Sequence, residues 1–191
     1  MINKTFKTET PEETEKFDDA NFKEETRLEE FFKLRNITDF QFTPREGRDA
    51  FEGYDASFTK DGETYLVEAK VRNYPLGSLE TQYLTQHKAS GLQQHWKEGK
   101  KVLYIQFFND GAIIYNLSNR FLLLAAGKDD HQLVAETKLL DNNTAKNRGK
   151  SYKQVYNLSP SDSLKDKVIS YKVNPVFFLT KKLHKQNLQP L

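Results

Sequence analysis

Gly53-Tyr54-Asp55-Ala56-Ser57-Phe58, Lys60-Asp61-Gly62-Glu63 and Thr64-Tyr65-Leu66-Val67-Glu68-Ala69-Lys70 together decide how this chain is read. The Asp61-Gly62 pair marks a turn between two strands, a hairpin that carries Asp55 back alongside the later part of the second strand. Residues two apart in a strand share a face, so Glu68 and Lys70 point one way while Val67 and Ala69 point the other. Two carboxylates and one ammonium then meet at one end of a small sheet. Such a set is suited to a divalent cation and to a water directed at a phosphate. The competing reading is plain: Asp55 caps a turn after Gly53, and Glu68 and Lys70 form an exposed pair worth a few tenths of a kcal/mol.

The residues around the hairpin supply its context. Phe22, Leu28, Phe31 and Phe32 recur at three- and four-residue steps, predicting a helix from about Asp18 to Arg35. Residues 36–42 read as a short edge strand stopped by Thr43-Pro44, and 45–52 as a charged loop. After a loop from Val71 to Gly77, Ser78 serves as the expected N-cap of a helix running from about Glu80 to Glu98, with Gly99 ending it. Leu84, Lys88, Leu92 and Trp96 then fall on one stripe at four-residue steps. A lysine in an apolar stripe either snorkels to water or finds a partner, and the carboxylate end of the sheet offers one. Val102–Phe108 is a continuous apolar strand, turned by Asn109-Asp110-Gly111 into Ala112–Leu117. The order helix, hairpin, helix, hairpin predicts an α/β fold with a central mixed sheet flanked by helices.

Beyond Ser118 the pattern is weaker. Residues 120–126 and 132–140 fit a strand or a short helix equally, 141–150 form a polar basic loop, and 168–173 and 176–179 read as late strands. The expected organisation is a polar arm (1–20), an α/β core (21–117) and a C-terminal elaboration packed on it (118–191) with a basic tail.

Composition narrows the chemistry. With no cysteine among 191 residues, disulfides, thiolate catalysis and cysteine-bound zinc are excluded. The four histidines (His87, His95, His131, His184) show no metal-ligand spacing. The opening residues lack an apolar segment and no run approaches the roughly 20 residues needed to span a bilayer, so a cytoplasmic protein without signal peptide or membrane span is expected. The net charge of +2 hides an asymmetry, since residues 1–69 carry −8 and residues 70–191 carry +10. A basic lobe beside an acidic site suits a polyanion held by its phosphates. The N-terminal acids serve equally well as a solvated helix face.

An acid-x-Lys tripeptide by itself is common, and Glu98-Gly99-Lys100 and Glu136-Thr137-Lys138 also match. Only Glu68-Ala69-Lys70 has an acid in a preceding strand, an intervening turn and a following helix. In that context the chain resembles the PD-(D/E)XK nuclease superfamily, with Tyr54-Asp55 in place of the frequent Pro-Asp. More loosely, it resembles the Holliday-junction resolvase branch: Glu25-Thr26-Arg27-Leu28 is similar to the first-helix signature, and Gln86-His87-Lys88 falls where a His-Gln pair would stand. The resemblance spans about residues 22–117.

What it implies is a restriction-endonuclease-like core and Mg²⁺-dependent (alternatively Mn²⁺-dependent) hydrolysis of phosphodiester bonds in DNA, at a junction or a specific duplex site. Asp55, Glu68 and the Ala69 carbonyl would hold the metal. Lys70 would orient water and offset charge, and Glu25 would be the supporting acid, a role open also to Glu24 or Glu29. Lys88 and Arg72 would contact phosphate. Independently of the resemblance, Arg148, Lys150 and Lys153 around Gly149 read as a basic loop that follows a phosphate backbone or, equally, as a solvated loop. Tyr74, Tyr83 and Trp96 are expected in the core, with base stacking as the alternative. A symmetric duplex favours a two-fold homodimer. The other readings are an RNA nuclease and an inactive module of the same fold that binds nucleic acid or a protein.

Overall fold

The computed structural model describes residues 11–44, 53–78, 82–128, 134–141 and 150–170. Three helices, nine strands and one 3-10 turn are assigned among them. The main sheet has six strands in the order β1-β2-β3-β5-β6-β9, and a second sheet has three in the order β4-β8-β7. Only β3 and β5 pair in parallel; every other pairing is antiparallel. A mixed α/β architecture is therefore present. No helix among the described residues is long and apolar enough to cross a membrane.

The hairpin is β2 (Ala56–Lys60) and β3 (Glu63–Val71). Its turn places Asp61 at φ +53° and Gly62 at φ +77°, the two positive values that a two-residue turn matched to strand twist requires. The register is pinned by Phe58 opposite Tyr65, whose rings stack at 4.8 Å. β1 (Phe40–Phe42) pairs with β2 at the sheet edge, as its position before Thr43-Pro44 predicts.

Helix α1 (Pro11–Leu34) begins earlier than the periodicity suggests, with proline at its first position, where a missing amide costs nothing. Its Leu28, Phe31 and Phe32 bury against Phe58, Val67, Ala69, Ile105 and Phe107 on one face of the sheet. The opposite face is covered by α2 (Gln86–Lys97) and α3 (Leu117–Ala125), through Ala89, Leu92, Leu117 and Phe121 packing on Val102, Tyr104, Phe108 and Tyr115. β5 (Lys101–Phe108), between the two cores, is buried on both faces in its second half, as its apolar run predicts.

The expected helix from Glu80 to Glu98 is corrected at its start. Residues 82–85 form β4, and α2 begins only at Gln86 with Thr85 as N-cap. Gln82 and Leu84 are buried and β4 pairs with β8 (Lys150–Leu158), some seventy residues away. That long-range pairing overrides the local helical pattern. Ser78 caps no helix; its amide donates to the Pro75 carbonyl in a turn. The stripe on α2 reduces to Lys88, Leu92 and Trp96. The C-terminal end stands as read, with Gly99 at φ +88° just after the C-cap Glu98.

Past Ser118 the open choices resolve into helix α3, strand β7 (Val134–Asp141) and strand β9 (Lys167–Ser170). β9 adds to the main sheet beside β6 (Gly111–Asn116), while β4 from the first 117 residues joins the second sheet. The two segments are thus interwoven. Asp166 ties them together: its carboxylate accepts from the Asn116 and Ser161 amides and pairs with the buried guanidinium of Arg120. The strand expected at 176–179 and the basic tail lie outside the described residues.

Candidate active site at the end of strand β3

Three carboxylates and two lysines gather where β2 begins and β3 ends. The Asp55 amide donates to the Val67 carbonyl (2.8 Å), although Val67 is paired in register with Ala56. Two consecutive residues therefore face Val67, the offset of a β-bulge, which re-aims a side chain. The Asp55 carboxylate takes the place that the next residue of β2 would occupy, accepting from the Ala69 amide at 2.7 Å. Strand periodicity turns the Ala69 carbonyl to the same edge as that of Val67.

Glu68 lies in β3 on the face covered by α2, and its Oε2 is 2.9 Å from the Lys88 Nζ. Lys70, two residues on, is 3.0 Å from Glu24 Oε1 of α1. The two ion pairs are reciprocal: the strand's acid meets a helix's lysine, and the strand's lysine meets a helix's acid. Glu68 is buried, and desolvation and the nearby charge of Asp55 push its carboxyl up to about 8, against the pull of Lys88. Burial works to lower the Lys88 ammonium, but Glu68 and then Asp55 outweigh it and raise it.

Asp55, Glu68, Lys70 and Lys88, singled out from the sequence, are thus brought together. The acid that meets Lys70 is Glu24 rather than Glu25. Glu24 stands one turn before the buried Leu28 and two before Phe31, and is itself buried, whereas Glu25 is half-buried. Spacing alone does not separate the two, because Glu25 stands on equivalent three- and four-residue steps to the buried Leu28 and Phe32.

Arg72 follows β3, its amide donating to the Phe107 carbonyl (2.7 Å) and its guanidinium 5.4 Å from the Tyr83 ring centre. Lys150 and Lys153 lie not in a loop but in β8, three residues apart and so on opposite faces. Arg148 is outside the described residues. Tyr74 and Trp96 pack against the core, Tyr74 on Phe108 and Trp96 on Phe121. Tyr83 does not join them. Glu136-Thr137-Lys138 lies on a strand, but its acid is exposed and 3.5 Å from its own lysine.

The donor set fits a hard divalent cation in its chemistry. Asp55, Glu68 and the Ala69 carbonyl all offer oxygen, and a cation would favour the ionised Glu68 against the burial, and then the Asp55 charge, that raise it. Among the described residues no three His, Asp or Glu side chains converge on one point, so such an ion would take two carboxylates and keep several waters. Compared with protein-family models and with curated proteins, the chain matches none of either.

Proposed function

We propose that this chain is a metal-dependent endonuclease of the PD-(D/E)XK type, hydrolysing phosphodiester bonds in DNA. The observation that carries the reading is the meeting of Asp55, Glu68 and Lys70 at one end of the hairpin, with Lys88 aimed at Glu68 from the following helix. A restriction-endonuclease-like core, Mg²⁺ or Mn²⁺, a two-fold homodimer and a cytoplasmic location belong to the same proposal.

Asp55, Glu68 and the Ala69 carbonyl would hold the ion, which when bound lowers the pKa of water and polarises a phosphoryl oxygen. The protein's own contribution is placement. The Ala69 amide fixes one Asp55 oxygen, and Lys88 keeps Glu68 oriented. Lys70, positioned by Glu24 and 47 % exposed, offers an ammonium to charge developing on the phosphate. Burial of Glu68 keeps its surroundings poor in water, where such charges act more strongly.

One observation favours a second reading, a module of this fold that binds nucleic acid without turnover: both Glu68 and Lys70 are already engaged in ion pairs within the protein. Cleavage of labelled duplex, branched and single-stranded DNA in Mg²⁺, Mn²⁺ or EDTA decides between them, run beside Glu68→Ala and Lys70→Ala. Metal-dependent products from the parent chain alone support the nuclease. Equal binding by all three proteins with no product from any supports the module, with RNA as the next substrate to try.

A further inference from the structure

A second surface adjoins the site. In the β4-β8-β7 sheet, Tyr83 is opposite Asn157 and Lys138 is opposite Lys153. Strand alternation places Tyr83, Asn157, Lys153 and Lys138 on one face, together with the fully buried Val155 and the exposed Glu136, because Leu84, Tyr156 and Leu158 occupy the other and pack in the core. One hydrogen bond links this sheet to the strand beside Glu68. The Tyr83 carbonyl accepts from the Tyr104 hydroxyl (3.4 Å), and Tyr104 stands beside Glu68 on the parallel neighbour strand.

Two cations share the Tyr83 ring, the Arg72 guanidinium at 5.4 Å and the Lys138 ammonium at 5.8 Å from its centre. Lys138 is steadied by Asn157 Oδ1 at 3.0 Å and by the exposed carboxylate of Glu136 at 3.5 Å, a pair open to solvent that a phosphate can displace. Arg72 is unusual. Its Nε is buried with no hydrogen-bond partner, and among the described residues no carboxylate pairs with it. A guanidinium held in place by an aromatic ring but lacking an anion is an incomplete pair, and a phosphate accepts from its planar fork.

We propose that the Tyr83 face of the second sheet is a backbone track, where Arg72 and Lys138 hold phosphates flanking the scissile one and Lys153 continues the line. The identity of the bound strand as substrate rests on the nuclease reading. The track gives the residues beyond 118 a role: they deliver Lys138 and Lys153 to a ring supplied by β4.

The test measures binding of a fluorescein-labelled DNA duplex from 50 to 200 mM NaCl, in a Glu68→Gln background that removes a metal carboxylate. Arg72→Gln, Lys138→Gln and Lys153→Gln are each expected to weaken binding several-fold and to lower the slope of log affinity against log salt by about one. Lys60→Gln, at the turn end of the hairpin away from Asp55, is expected to leave both unchanged. Lys138 and Lys153 are partly exposed, so their replacement tests the track even where Arg72→Gln perturbs the fold. Parental affinity and slope in Lys138→Gln and Lys153→Gln, or an equal loss in Lys60→Gln, overturns the proposal, as does a background chain that binds no DNA. Failure of the nuclease reading shows separately, as no metal-dependent cleavage by the unmutated chain while the slope changes persist.

Discussion

The ammonium of Lys70 lies 3.0 Å from Glu24 Oε1, although the helix that carries Glu24 covers the opposite face of the sheet from Glu68 and Lys88. Lys70 shares the Glu68 face by strand alternation, so the pair closes around the edge that β2 leaves open beyond Ala56. The two layers of helices thus meet at one place, and each contributes one charge to it.

Glu24 and Glu25 are separable by substitution. Glu24→Gln removes the counter-charge that positions Lys70 and, under the proposed nuclease function, is expected to lower the cleavage rate about 10- to 100-fold, the range found for groups that orient a reacting residue. Glu25→Gln is expected to stay within about three-fold of the parent, since one mispositioned charge is the larger effect. Single-turnover rates for the two variants check this, with the pH profile read alongside. A larger loss in Glu25→Gln would reassign the supporting acid.

Glu68 makes stability depend on pH. Its carboxyl is raised from 4.5 to about 8 in the folded chain, so between these values the folded state keeps a proton that the unfolded state has released. The unfolded state binds fewer protons there, and stability falls as pH rises from about 4.5 to 8, by an order of a few kcal/mol. Glu68→Gln has no proton to lose and is expected to flatten that dependence. Urea unfolding at pH 5 and pH 8 for both proteins measures it. Added Mg²⁺ at pH 8 is expected to raise the parent's Tm more than that of Glu68→Gln.

The Arg120–Asp166 pair is the joint between α3 and the segment leading into β9. Both side chains are almost wholly buried, and Asp166 also accepts two backbone amides. Asp166→Ala leaves a buried guanidinium without its counter-charge, with the Ser159 carbonyl still accepting from it, and two amides without their acceptor, an expected loss of about 3–5 kcal/mol by chemical denaturation. Replacing both partners with apolar residues of similar volume is expected to recover part of it.

Gly111 opens β6 where β9 and the loop after β3 close in. A Cβ there would stand 2.5 Å from the Ile169 carbonyl oxygen and 2.9 Å from Leu76 Cδ2. The backbone oxygen cannot yield as a flexible side chain would, so Gly111→Ala is expected to cost about 1–3 kcal/mol. The loss should appear as a lower urea midpoint with an unchanged m-value.

Much of this was legible because it is local. The Asp61-Gly62 turn and the two-residue period of β3 bring Asp55 to the strand that carries Glu68 and Lys70, and both are properties of fewer than twenty consecutive residues. The apolar run of β5 and the glycine after α2 are local too. Tertiary structure decided the rest, because its causes are distant in sequence. β4 is a strand only because β8 returns to pair with it, and Glu24 rather than Glu25 meets Lys70 because packing of Leu28 and Phe31 fixes the rotation of α1. Tyr83 faces two cations instead of the core because β8 pairs with β4 and brings β7 with it. A turn and a strand period are set by backbone sterics within a few residues, whereas helix rotation and sheet partnership are set by side chains that meet only once the chain has folded.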